Sequence, residues 1–165
     1  MTRVLALLII VLAATALAQR AGQEAPGFRL YDTAGEVVEL AQLRGTPVIL
    51  NFWATWCTIC RAELPHLHQE KVRLGARAHF LAINLNEPPE VARQFMADHD
   101  YTFRTLVNPP PRASGVDDTV RVARAYRVIG QPTTIFIDAE GIVRVVHQGF
   151  LGPAQFSANL RRVGL

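Results

Sequence analysis

Two short, nearly unbroken apolar runs constrain this chain most: residues 47–54 (PVILNFWA) and residues 79–85 (HFLAINL). A strand that is apolar at successive positions, not at alternate ones, has both faces buried, so these runs belong inside a covered sheet. Residues 58–75 between them have helical composition, and Pro65 is expected to remove one N–H and kink that helix. A second helix opens at Pro88-Pro89 with an apolar stripe of Val91, Ala92, Phe95 and Met96. Residues 105–107 read as a short strand. Residues 108–115 (NPPPRASG) are a loop by composition, after which Val116, Val120 and Ala123 resume helical spacing towards Tyr126. Residues 133–138 and 142–147 are β-branched runs joined by Ala139-Glu140-Gly141, an antiparallel hairpin. Upstream, residues 27–40 read as another hairpin that turns at residues 32–35 and ends its second strand at Leu40. Phe156, Leu160 and Val163 stripe a last helix begun near Pro153. The order predicts one α/β domain, a central mixed sheet flanked by helices.

Size and composition agree. The chain has 165 residues, of which 50% are hydrophobic and 19% charged, so it supports a packed core and is not generally disordered. Its 17 Lys and Arg against 14 Asp and Glu leave a formal charge of +3. The basic residues are scattered, Arg161-Arg162 being the one adjacent pair, so no nucleic-acid footprint is present. Two cysteines allow at most one internal bridge and exclude a disulfide-stapled mini-domain.

The first segment reads as an address. Arg3 precedes an apolar run over residues 4–18, relieved by Thr15. As a helix this run reaches roughly 22 Å, short of the ~30 Å hydrocarbon core. Ala16-Leu17-Ala18 supplies small residues before a cut, so residues 1–18 are expected to be a secretory signal peptide cleaved before Gln19. The alternative is an uncleaved N-terminal membrane anchor. Either places the working domain, residues 19–165, in the periplasm or another extracytoplasmic space.

The chemistry converges on Cys57 and Cys60, which lie just after a buried strand and at the start of a helix. Unbonded N–H groups and the positive end of the helix dipole stabilise a thiolate there. A cysteine so placed falls from a pKa of about 8.5 into the ~3.5–7.5 range. Cys57, at the cap, is expected to attack, and Cys60, one turn in, to displace the mixed disulfide; the i,i+3 spacing meets disulfide geometry. Zinc would need further ligands from His66 and His68, which are two apart on a helix and point to different sides. Covalent haem needs His where Arg61 stands. A purely structural bridge closing so small a loop would stabilise little.

The segment Asn51-Phe52-Trp53-Ala54-Thr55-Trp56-Cys57-x-x-Cys60-Arg61-Ala62-Glu63-Leu64-Pro65 resembles extracytoplasmic thioredoxin-fold proteins of the TlpA/ResA type. The likeness resumes at Ala125-Tyr126-Arg127-Val128 and Gly130-Gln131-Pro132-Thr133-Thr134-Ile135-Phe136-Ile137-Asp138. The resemblance implies a thioredoxin fold with an added N-terminal β-hairpin and a central insertion. It implies thiol–disulfide exchange with protein substrates, no cofactor beyond the Cys pair, a membrane thiol-disulfide reductase as electron donor, and a monomer. Pro132 then corresponds to the family's cis-proline, and Gln131 supplies substrate-facing backbone. Trp56 and Thr133 complete the expected substrate contacts, and Glu63 is expected to trade protons with the thiols from a buried position.

The chain departs from the pattern in four places, one of them the stretch over residues 108–118, which is longer than the usual turn. Thr58-Ile59 lacks the proline common before the second Cys. Arg127 stands where Gly is usual, and Thr133 stands where cytochrome c maturation factors usually carry Glu. That last difference tilts the expectation from cytochrome c maturation towards a general reductant. A disulfide-forming oxidant uses the same residues at a different potential. A peroxiredoxin-type peroxidase would need Pro-x-x-x-Thr-x-x-Cys, whereas Thr55 is only two before Cys57. His66, His68, His79, His99 and His147 show no ligand spacing and read as surface or hydrogen-bonded singles.

Overall fold

The computed structural model of the protein describes residues 21–108 and 118–165. The expected export segment, Val116 and most of the Pro-rich loop lie outside the described residues. The strands are β1 (Arg29–Asp32), β2 (Val37–Glu39), β3 (Val48–Trp53), β4 (His79–Asn84), β5 (Arg104–Val107), β6 (Thr133–Ile137) and β7 (Val143–Gln148). They form one sheet in the order β2-β1-β5-β4-β3-β6-β7. β3, β4 and β5 run parallel, while the two hairpins β1–β2 and β6–β7 attach antiparallel at either side. The helices are α1 (Thr58–Leu74), α2 (Pro89–Asp98), α3 (Asp118–Ala125) and α4 (Pro153–Arg161). This is the expected mixed α/β thioredoxin-like architecture with its N-terminal hairpin.

β3 is buried at all its positions, as its unbroken apolar run requires. Alternation divides its side chains between two cores. Val48, Leu50 and Phe52 pack with Leu30, Leu106, Ile135 and Tyr126 on one face. Ile49 packs on the other with Phe136, Leu67 of α1 and Phe156 of α4. Trp53, further along that second face, meets Cys57, Cys60, Leu64 and Met96 of α2. A register shift between Phe136 and Ile137 pairs Ile137 with Val143 but Phe136 with Val145. The extra residue lets Val143 join the first core and Val145 the second.

The structure corrects the sequence reading at several edges. Leu40 opens a short 3₁₀ turn (Leu40–Leu43) and is not the last strand residue, although its side chain is still buried. The α2 stripe is narrower than expected: Ala92 and Met96 are buried, whereas Val91 faces outward, 38% exposed. By contrast α1 runs as expected, through Pro65 to Leu74, and closes on Gly75, whose φ of 57° suits a residue without Cβ. Val163 is buried as expected but lies past the end of α4.

Candidate active site

β3, an interior strand, delivers the chain to its own C-terminal end, where a turn closed by Cys57 N–H donating to the Ala54 carbonyl (3.2 Å) starts α1. Cys57 is the N-cap of that helix, and its Sγ accepts from the Cys60 backbone N–H at 3.2 Å. A cysteine thus occupies the capping position usually held by Ser, Thr, Asp or Asn, so an orphan helix N–H is spent on sulfur. The two sulfurs are joined in a disulfide with a Cα–Cα distance of 5.2 Å. Cys60 is 1% exposed and Cys57 7%, so Cys57 is the more accessible of two covered sulfurs.

The loop before β6 forms the second wall. The Gln131–Pro132 peptide bond is cis, and the Gln131 carbonyl oxygen lies 3.8 Å from Cys57 Sγ. Trp56 is 65% exposed beside the pair, and Ile59 and Ile129 are also exposed, giving the sulfurs an apolar rim. A groove of about 520 Å³ runs from Trp56 past Leu85 and Asn86 to Ile129 and Gln131. Thr133 does not belong to this surface. Its side chain is fully buried and its hydroxyl donates to the Gly130 carbonyl at 2.6 Å, so it shapes the loop and cannot face a partner.

Glu63 lies one turn after Cys60 on α1 and is 1% exposed. Its Oε1 accepts from Asn51 Nδ2 (3.1 Å) and from the Thr134 hydroxyl (3.2 Å), and its Oε2 accepts from the Leu151 backbone N–H (2.8 Å). Burial raises its proton affinity above that of an ordinary glutamate. The Leu151 and Thr134 hydrogen bonds, the nearby His147 and the Asn51 amide pull the other way without cancelling that rise. The carboxyl therefore holds a proton more readily than an exposed glutamate would.

The AhpC/TSA family profile matches residues 21–146. The chain belongs to that family. Within it, the chain is 35% identical to the thiol-disulfide oxidoreductase ResA of Halalkalibacterium halodurans, over 79% of this chain and 69% of that one. It is 30% identical to the thioredoxin-like protein YneN of Bacillus subtilis, over 84% of this chain and 78% of that relative. Among solved structures, a thio-disulfide isomerase from Thermus thermophilus superposes with a TM-score of 0.72 at 30% identity, covering 87% of this chain and 96% of the other. With Cys57 and Cys60 as its Cys pair, this AhpC/TSA member is a thiol-disulfide oxidoreductase of the ResA type.

Two features of this family member escape a reading of motifs alone. Glu87 reaches back to the segment before the Cys pair. It accepts from the Thr55 backbone N–H and from Asn84 Nδ2, both at 2.7 Å, and from the Thr55 hydroxyl. Arg127, in the family's Gly position, has a φ of 55°, which accounts for the usual glycine. The signal for the buried polar residues was present in the sequence. Asn51 interrupts and Asn84 ends a run that is otherwise apolar on both faces, and Thr134 stands at the start of a third, where a polar side chain needs a buried partner. His147 carried no such signal.

Proposed function

We propose that this protein is a reductant of protein disulfides working outside the cytoplasm, exported by residues 1–18 and acting through residues 19–165. The observation that carries the reading is Cys57 Sγ at the cap of α1, 3.2 Å from the Cys60 N–H, where a thiolate is stabilised. In the reduced protein the Cys57 thiolate attacks one sulfur of a substrate disulfide, and the other substrate sulfur leaves as a thiolate. Cys60 passes its thiol proton to the Glu63 carboxylate and attacks Cys57 Sγ. The second substrate sulfur then leaves, the Cys57–Cys60 disulfide closes, and two electrons have moved to the substrate.

The surrounding residues support each part of this path. The Gln131 carbonyl beside the sulfur, with Pro132 cis behind it, offers backbone to an extended substrate segment, and exposed Trp56 offers an apolar contact. Burial of Glu63 keeps its proton affinity nearer that of a thiol than an exposed glutamate's would be. A membrane thiol-disulfide reductase would restore the dithiol, with the protein acting as a monomer and needing no bound cofactor. Thr133 in place of Glu favours a general reductant over a dedicated cytochrome c maturation factor.

The reduction potential of the Cys57–Cys60 couple tests the direction of electron flow. Equilibration against defined thiol buffers, read by the adjacent tryptophans, is expected to give a value near the −270 mV of thioredoxin-like reductants. A value near −120 mV would assign the protein to disulfide formation instead.

A further inference from the structure

The ladder registers place three polar side chains in one row across the sheet. Asn51 of β3 pairs with Thr134 of β6, and Thr134 pairs with His147 of β7. Directly paired residues project to the same face with Cβ atoms about 4.5–5.5 Å apart. That face is covered by α1 and α4, and Glu63 of α1 lies on the row: the Asn51 amide donates both to Glu63 Oε1 and to Thr134 Oγ1 (3.0 Å). The row begins at the fully buried centre of the sheet and ends at the edge strand, where His147 is half-buried.

His147 reaches Glu63 by a second route. Its Nε2 is 3.1 Å from the Phe150 carbonyl, so the ring clasps the turn after β7. The next residue in that turn is Leu151, whose N–H donates to Glu63 Oε2 at 2.8 Å. One imidazole thus neighbours the carboxyl across the sheet and fixes the backbone donor that holds it. Among the described residues, α1 also brings Cys60 and His66 to this face, and His66 turns its ring edge onto Phe156 of α4, 5.4 Å between centroids. β6 contributes Thr134 and Phe136 and α4 contributes Phe156 and Leu160, none of them ionisable. Arg144 of β7 is engaged elsewhere, with Asp138.

We propose that His147 is a positioning residue for the exchange reaction, setting how readily Glu63 takes the Cys60 proton and tying that readiness to the pH outside. The inference rests on Glu63 being the proton acceptor. As an imidazolium, His147 favours the carboxylate across the row, so Glu63 stays a competent base at mildly acidic pH. As a neutral ring it keeps only its hold on the Phe150–Leu151 turn.

The test uses the reduced protein and an aromatic disulfide that releases a coloured thiol at each of two steps. The first release reports attack by Cys57, and the second reports Cys60 closing the ring. His147→Gln keeps an N–H for the Phe150 carbonyl but carries no charge. It is expected to slow the second release roughly threefold at pH 6 and to converge on the parent by about pH 8.5. In a Glu63→Gln background the same change is expected to have no effect. A His147→Gln profile that superimposes on the parent, or is slowed by one factor at every pH, overturns the role of His147. A Glu63→Gln profile identical to the parent overturns the underlying role of Glu63 instead. Carbon-13 NMR of the Glu63 carboxyl, in the parent and in His147→Gln, gives a check independent of the exchange rate. The Glu63 midpoint is expected to rise in His147→Gln, and an unchanged midpoint would contradict the coupling.

Discussion

Adjacent rows of the sheet, one residue apart and on opposite faces, have been put to opposite uses. Leu81, Leu50, Ile135 and Val146 form one row across β4, β3, β6 and β7; Ala82, Asn51, Thr134 and His147 form the next. The first row is apolar throughout and belongs to the larger core. The second exchanges hydrocarbon for an amide, a hydroxyl and an imidazole, and α1 lowers a carboxyl onto it. Both rows cross the buried centre of the sheet and end half-buried on the edge strand, so burial alone does not separate a stabilising position from a chemical one. What separates them is partnership. Each polar group in the second row costs stability unless it finds a hydrogen bond, and those bonds gather around the acid behind the Cys pair.

That contrast can be broken at either row. Leu50 is fully buried in the apolar row. Leu50→Ala is expected to cost about 2–5 kcal/mol in urea unfolding while leaving the exchange rate per folded molecule unchanged. A rate loss without a stability loss would mean that the rows are not separate. Glu63→Gln has a smaller effect whose sign depends on pH. Because burial raises the folded-state proton affinity of Glu63, its contribution is fully present below the ordinary glutamate range and is lost as pH rises through the raised value. The parent should therefore lose ground to Glu63→Gln as pH rises above the ordinary glutamate range. A stability difference that stays constant across this range would show that Glu63 titrates normally.

Much of this was legible before any coordinates. The two buried runs specified central strands, and the Cys pair directly after one of them specified a thiolate at a helix start. Local chemistry decides both, because apolar period and helix-end N–H groups are properties of short segments. The row around Glu63 was not legible as a row. Asn51, Thr134 and His147 come together only through strand registers, and the bulge at Phe136–Ile137 decides which face His147 takes. A slip of one residue there would have turned its ring to the other core. Thr133 and Thr134 illustrate the same limit. Neighbours in sequence, they point to opposite faces, one bonded to Gly130 and the other to Glu63. The outward turn of Val91 and the reach of Glu87 to Thr55 likewise depend on how helices and strand ends meet.

The central claim is that Cys57 attacks and Cys60 resolves, and a trapping measurement tests it directly. Each single variant, Cys57→Ser and Cys60→Ser, is reduced, mixed with a disulfide-bonded protein substrate and analysed by intact mass. Cys60→Ser should accumulate a mixed disulfide through Cys57, because nothing remains to displace it, and Cys57→Ser should trap almost none. Equal trapping by both variants, or trapping through Cys60 alone, would contradict the account.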